Sequence, residues 1–490
     1  MSARLPVEPI FDQTPRLFGD GPPDPVVYDA SARALRQRSV NFAAKRYVDM
    51  MFVSGLDRST ADRRFRARAA AVPAGLSARA VGLSVRDALL TAHREGRFAI
   101  QTDATGRRAA VTWNDPGFGD PITGSAVAPP GYGGIVLGQH RAPRFEPRVV
   151  PRQIADEGRD WPTGGAVEPP PSAPPAMVTA LDRFFANSPS TSSTYGVLIG
   201  TPDRVLVERY SDFGAVDRAT PGWSMTKAIT CTLLGRMLYE GWFHSMHDPA
   251  PAPLWRDPRG VHRLITFDHL VRMRSGLGFP VRHEDGSITL GFENSAVYQD
   301  AADAFETAQR MIVATMPGTV FRYVNSGMNA LGAVIRDQIV RRGLPYHQTV
   351  YGMLVDRLGM SSYQHSADIG GNFIGSGAGC ATLRDYSKLG VLYLNDGVWN
   401  GERLLPAGWV DYATTATHTG TSYAACFRSN IDGRFPSLPP ETAWAAGASD
   451  NRIFILRRHR LTVTVTNETD HPMDLASLDR MIATAIDSFA

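Results

Sequence analysis

The sequence predicts an α+β protein whose larger part carries an antiparallel sheet built from both of its ends, with helices flanking it and a mostly helical insertion. Three observations predict this. Thr194 to Ile199 and Val205 to Tyr210 read as two strands around the turn Thr201-Pro202-Asp203. Far downstream, Arg452 to Leu456 and Leu461 to Thr466 read as a second strand pair. A closing helix over 474–489 follows, with Leu475, Leu478, Ile482 and Ile486 at helical spacing.

At 490 residues the chain is too long for one ordinary core, which implies two domains. We expect an N-terminal extension over 1–165, a Pro-rich linker over 166–176 and the larger domain over 177–490. The linker rests on Glu168-Pro169-Pro170-Pro171-Ser172-Ala173-Pro174-Pro175, a composition that favours stiff extended chain. With 43% hydrophobic and 20% charged residues, the composition is that of a folded globular protein. The formal net charge of +3 is small for this length. Arg58, Arg63, Arg64, Arg66 and Arg68 cluster with phenylalanine as the only aromatic among them. That pattern reads as a solvated helix face in preference to a nucleic-acid patch. Cys231, Cys380 and Cys426 lie far apart and match no metal, redox or disulfide spacing.

No stretch approaches the roughly 18 apolar residues that span a membrane. Met1 to Arg16 has no apolar signal region, so a cytoplasmic location is expected, or a periplasmic one if a leader has been removed.

In the N-terminal part, 1–28 reads as an irregular arm and Ala30 to Ser54 as a helix. A second helical stretch runs near Val85 to His93. Arg97 to Thr102 and Arg107 to Trp113 form strands around Asp103-Ala104-Thr105-Gly106. This makes a small α+β unit with no constellation that carries chemistry. Past the linker, Met177 to Asn187 is an amphipathic helix through Leu181, Phe184 and Phe185.

The stretch with chemical content is Trp223-Ser224-Met225-Thr226-Lys227, opening the apolar run Ala228 to Leu238. Residues at i and i+3 share a helix face, so the hydroxyl of Ser224 and the amine of Lys227 can meet over one pocket. A serine needs a neighbouring base to become a nucleophile, and a desolvated lysine can serve. Ile229, Leu233 and Met237 mark an apolar line, with Gly241 as the stop, so the helix is buried. A lysine that snorkels to the surface is the plain alternative, and on motif and placement alone the two stand even.

A nucleophile elbow needs G-x-S-x-G, and no complete copy exists in the chain. His244 and His247 lack a third candidate ligand and read as surface residues. The second chemical feature is Phe321-Arg322-Tyr323-Val324-Asn325-Ser326-Gly327. A phenol can relay a proton between an attacking hydroxyl and a leaving group. A single tyrosine is more often a core residue.

Together these residues resemble the serine β-lactamase-like hydrolases: class C β-lactamases, family VIII carboxylesterases, D-alanyl-D-alanine carboxypeptidases and 6-aminohexanoate-dimer hydrolases. The resemblance rests on Ser224-x-x-Lys227 followed about a hundred residues later by Tyr323-x-Asn325. Met273-Arg274-Ser275-Gly276-Leu277, Ala381 to Gly390 and Leu392 to Gly401 add to it, and it covers roughly 177–490.

The resemblance implies a β-lactamase/transpeptidase-like α/β sandwich working through an acyl-enzyme, without a cofactor or metal. By it, Ser224 is the acylated nucleophile, Lys227 its activating base and Tyr323 the proton shuttle, while Asn325 assists positioning as a substrate-binding residue. The Ser224 N–H and the last strand would form an oxyanion hole. The family's third motif, K-T-G or H-G, should fall near Gly447-Ala448-Ser449-Asp450-Asn451-Arg452, where neither Lys nor His stands. Ser449, Asn451 and Arg452 are therefore the expected substrate contacts there, with Arg452 as the candidate cation.

The expected function is hydrolysis of carboxylic esters or linear amide or peptide bonds in small molecules or short peptides. A penicillin-binding-like sensor, a pseudoenzyme and an acyltransferase are the alternatives. Neither nucleic acid nor a membrane span is expected, and a homodimer stays open. Pro280 to Phe292 and Ala413 to Ser437 are the expected pocket loops. Asp285, Glu293 and Asp300 would favour a cationic substrate end, or are solvated loop charges.

Overall fold

Neighbouring residues of a strand face opposite sides of its sheet, and in the sheet of the larger part that alternation sorts the apolar residues into two separate cores. The computed structural model describes residues 25–70, 85–154, 158–167, 172–187, 193–292, 298–418, 420–468 and 473–490. The arm before residue 25, Glu293 and Pro-rich residues 168–171 lie outside these. The N-terminal helices are α1 (Ala32–Val48), α2 (Arg58–Ala70) and α3 (Val85–Arg94). A meander follows: β1 (Phe98–Asp103), β2 (Arg108–Trp113), β3 (Ile122–Val127) and β4 (Ile135–Gly138). The larger part begins with α4 (Pro175–Asn187), β5 (Ser193–Gly200), β6 (Val205–Tyr210), β7 (Thr220–Trp223) and α5 (Met225–Tyr239). After α6 (Ser326–Arg341) come β8 (Gly379–Ala381) and α7 (Leu383–Leu394). The chain closes with β9 (Arg428–Ser429), β10 (Ala443–Gly447), β11 (Asn451–Leu456), β12 (Leu461–Glu468) and α8 (Leu475–Phe489).

The principal sheet runs β9-β10-β11-β12-β5-β6, every neighbour antiparallel. The sheet is thus built from both ends of the larger part, as the two strand pairs predict. Val463 sits opposite Ile199 on one side and Phe454 on the other. Phe454, Leu456, Val197 and Ile199 join Leu181, Phe184, Leu478 and Ile482 of α4 and α8 in one core. Ile453, Ile455 and Leu198 turn the other way, into the core that holds α5 and α7. Asp474 caps α8, accepting from the N–H groups of Ala476 and Ser477.

Helix α5 is buried from Met225 to Met237, as a helix apolar on all sides must be. Its end follows from Gly241, whose φ of +72° admits the left-handed turn that lets Trp242 N–H reach the Met237 carbonyl at 2.9 Å. His244 and His247 lie exposed beyond that turn. Among the described residues, no helix is long and apolar enough to cross a membrane.

The N-terminal unit packs α1 over its four-stranded sheet through Val40, Ala43, Ala44 and Tyr47. The opposite side of α1 meets the larger part. Lys45 Nζ donates to Asp49 Oδ2 at 2.9 Å, to the Gly134 carbonyl at 2.8 Å and to Ser366 Oγ at 3.1 Å. A buried ion pair is sustained only when its remaining hydrogen-bonding capacity is met, as here. Asn41 donates to the Gln299 carbonyl, and Arg38 pairs with Asp300 at 2.9 Å, which accounts for one of the loop acids. The Asp285 carboxylate is engaged by Ser287. The arginine-rich segment forms α2, but not every arginine on it faces solvent. Arg64 is buried with its guanidinium over the rings of Tyr195 and Phe213. Tyr132, Ile135, Leu137, Val150 and Trp161 pack into the core around α5.

An aromatic cluster fastens this junction. His365 stacks on Phe373 at 4.4 Å, and His347, Tyr351 and Tyr132 surround the same ring. Burial, then Arg152 and His347, push His365 down from its ordinary 6.5 to about 3. The folded state therefore refuses a proton that the unfolded chain accepts, and stability falls as pH drops from 6.5 toward 3. The cost is about 1.4 kcal/mol per pH unit for each such group. His93, His262, His269 and His347 shift the same way, each chiefly by burial. Urea midpoints should decline between pH 7 and pH 5, and His365→Phe should flatten that slope by one proton. An unchanged slope would show that His365 is protonated in the folded state.

Candidate active site

Ser224 stands where β7 turns into α5. Strand β7 pairs with β8, and Tyr386 Oη lies 3.0 Å from the Thr220 carbonyl and 2.9 Å from that of Gly379, tying the two strands together. Gly222 leaves no room for a Cβ against that phenol, which explains the glycine. Trp223 then takes φ +49°, a left-handed conformation costly for a bulky side chain. A sharp strand-to-helix turn is thus made without the paired glycines of G-x-S-x-G.

Serine at a helix N-cap usually accepts from the N–H groups of the first turn. Ser224 occupies the N-cap of α5 and makes no such bond; its Oγ receives Lys227 Nζ at 2.9 Å. Lys227 is 1% exposed, so it does not snorkel. Its other partners are Asn325 Oδ1 at 2.6 Å and the Ser376 carbonyl at 2.5 Å. All three are neutral oxygens. Asn325 is itself the N-cap of α6, and its side chain likewise does not cap its own helix. Two helix starts therefore converge on one amine.

Tyr323 completes the group: its ring centroid lies 4.9 Å from Lys227 Nζ. The ring is set edge-on against Tyr423, 5.7 Å away, and Tyr423 in turn packs on Phe321 at 5.4 Å. Tyr323 is half-buried, a core residue on one side and open on the other.

The end of β10 reaches this centre, with Gly447 packed against the Gly222 carbonyl too closely for a Cβ. The turn that follows has Ser449 at φ +62° and Asp450 at φ +59°, and Ser449 is half-buried there. Asn451 spends its amide on backbone, donating to the Ala448 and Asn467 carbonyls at 2.7 and 3.0 Å and accepting from Asn467 N–H at 2.9 Å. It pins the turn. Arg452 corrects the expectation of a substrate-facing cation. In strand parity it follows Phe454 and Leu456, away from α5, and it packs over Phe435 at 5.6 Å while pairing with Asp450. Burial holds Arg452 down to about 10 against the pull of Asp450.

Ser224, Lys227, Tyr323 and Asn325 are therefore brought together, with Ser449 at the adjoining turn, while the Asn451 and Arg452 side chains are committed elsewhere. Sequence reasoning missed Ser376, whose carbonyl holds the lysine. The signal was the run Gly375-Ser376-Gly377-Ala378-Gly379. Gly377 has no space for a Cβ beside Tyr298 Oη, so the backbone can press against the first turn of α5. Tyr423 and Trp223 carried no comparable mark.

A six-stranded antiparallel sheet between helical layers, with a serine at the head of the central helix and a lysine one turn on, is a β-lactamase/transpeptidase-like fold. The Beta-lactamase family model matches residues 215–485, more than half of the chain, and the chain belongs to that family. A 6-aminohexanoate-dimer hydrolase homologue from Bacillus anthracis superposes with a TM-score of 0.53 at 15% identity, over 68% of this chain and 88% of that one. A penicillin-binding protein homologue from Caulobacter crescentus gives 0.50 at 16% identity, over 64% and 98%. These likenesses concern the fold. No curated protein matches the sequence.

Proposed function

We propose that the protein is a serine hydrolase that cleaves carboxylic esters or linear amides through an acyl-enzyme. The observation that carries this is the 2.9 Å contact between Lys227 Nζ and Ser224 Oγ, made inside a ring of neutral acceptors. As the free amine, Lys227 accepts the Oγ proton while still donating to Asn325 and Ser376. Ser224 Oγ then bonds to the substrate carbonyl carbon, and the oxyanion is met by the Ser224 N–H and the adjoining end of β10. Tyr323 passes a proton to the leaving alkoxide or amine, whose bond to the carbonyl carbon breaks. Water gives its proton to the resulting Tyr323 phenolate and bonds to the acyl carbon; the bond from that carbon to Ser224 Oγ breaks, the acid leaves, and Oγ takes its proton back from Lys227.

Gly447, Ala448 and Ser449 occupy the place of the third-motif cation, and Arg452 faces the other side of the sheet. A cation at that place would pair with a substrate carboxylate; with none there, esters and linear amides are favoured over β-lactams. The same observation supports a second reading, a penicillin-binding-like sensor that acylates once. Treatment with a fluorescent fluorophosphonate and peptide mapping should place the adduct on Ser224. A panel of short esters, linear amides, D-amino-acid peptides and a cephalosporin should then show ester or amide turnover. Labelling without turnover would favour the sensor, and a panel with added amines or alcohols would expose acyl transfer. No adduct at Ser224 would overturn both.

A further inference from the structure

The N-terminal helix reaches the residue before the nucleophile, although the family match begins only at residue 215. Phe42 and Arg46 sit four apart on α1 and so share one face. That face is turned to Trp223. The Phe42 ring lies 6.0 Å from the Trp223 ring, and the Arg46 guanidinium lies over it at 5.2 Å. Tyr298 meets the same indole edge-on at 5.9 Å. Arg46 is anchored in turn. It is 3% exposed and paired with Glu468 at the end of β12, whose carboxylate accepts from Tyr195 Oη at 2.7 Å. Phe42 also packs on the cluster of Tyr298, Ile374 and Ala378.

Trp223 is thus held by side chains from both halves of the molecule at the point where its backbone is left-handed. A bulky residue persists in that conformation only when its surroundings over-determine it. Ser224 is the next residue, so relaxation of Trp223 would rotate the Ser224 backbone and carry Oγ off Lys227.

We infer that α1 is a working part of the active site, with Phe42 and Arg46 as positioning residues that clamp Trp223 and thereby aim Ser224. This rests on the hydrolase reading above. Lys45, one residue from Arg46, serves the junction with Gly134 and Ser366 instead, and Val40 lies in the N-terminal unit's own core. Val40→Ala therefore loosens the unit without touching Trp223.

The test is ester turnover by the full chain, with Phe42→Ala, Arg46→Lys and Val40→Ala compared below their melting temperatures. Arg46→Lys keeps a cation beside Glu468 and loses the planar group over the indole. Misplacing a reacting group by an ångström can cost about a hundredfold, so Phe42→Ala and Arg46→Lys should lower kcat about 10- to 100-fold with KM within about threefold. Phe42→Tyr should restore the rate, and Val40→Ala should lower the melting temperature while leaving kcat within about twofold. In a Trp223→Gly background, where glycine adopts positive φ freely, Phe42→Ala should have little further effect. Equal loss of kcat in Val40→Ala, or an unchanged kcat in Phe42→Ala and Arg46→Lys, would overturn the clamp alone. A wild-type protein that neither labels nor turns over would overturn the hydrolase reading, and the clamp's purpose with it.

Discussion

Replacing Ser224 with alanine should reduce p-nitrophenyl acetate hydrolysis to the rate of a protein-free control, a fall of at least about 10³-fold, because the bond-forming oxygen is gone. The fold should survive. Ser224 makes no capping bond to α5, so the helix start does not depend on its oxygen, and the half-buried side chain loses a single atom. The urea midpoint should therefore stay close to that of the parent, a change within about 1 kcal/mol. Fluorophosphonate labelling should vanish in the same variant. Two outcomes would separate the competing readings. Undiminished turnover in Ser224→Ala would move the chemistry to another residue, whereas labelling lost in Ser224→Ala from a parent that labels but never turns over would leave the sensor standing.

The sheet was legible because its strands announce themselves locally. Thr201-Pro202-Asp203 marks the turn between β5 and β6, and the alternation of Ile453, Phe454, Ile455 and Leu456 divides cleanly between two cores. Ser224 and Lys227 were legible for the same reason, since a separation of three on a helix is itself a contact. What holds Lys227 was not. Asn325 is 98 residues away and Ser376 is 149, and only the topology brings α6 and the glycine-rich segment to the head of α5. Arg452 failed on parity. A residue near the start of a strand can face either core until its register is known, and a pairing of Arg452 with Ala446 and Val465 puts it beside Phe435. The N-terminal unit showed no chemistry when read alone, because Phe42 and Arg46 act on a residue some 180 positions further on. Arg64, grouped by sequence with four other arginines, is buried because Tyr195 and Phe213 supply rings that no local pattern reveals.

Lys227→Ala should cost roughly 10²-fold or more in kcat/KM if the amine takes the serine proton. It is the more informative substitution because charge and basicity can be separated. Lys227→Arg preserves a cation that does not give up its proton, so a base should be lost in both variants. An arginine variant that keeps most of the rate would instead mean that Lys227 acts by charge, stabilising the oxyanion or aiming Asn325. Stability must be watched alongside. Removing the amine takes a donor from Asn325 Oδ1 and from the Ser376 carbonyl in a buried site, and a buried polar group left unsatisfied costs about 1–3 kcal/mol unless water enters the space. Rates should therefore be compared well below the variant's own unfolding midpoint. Tyr323→Phe is the useful companion, since it removes one oxygen and keeps the ring that packs against Tyr423. If the phenol serves the leaving group, its loss should weigh most on poor leaving groups such as alkylamines and least on p-nitrophenolate. Lys227→Ala should slow both alike, because Ser224 must lose its proton whatever departs. A variant pair with the same leaving-group dependence would place Lys227 and Tyr323 in one proton-transfer step instead of two.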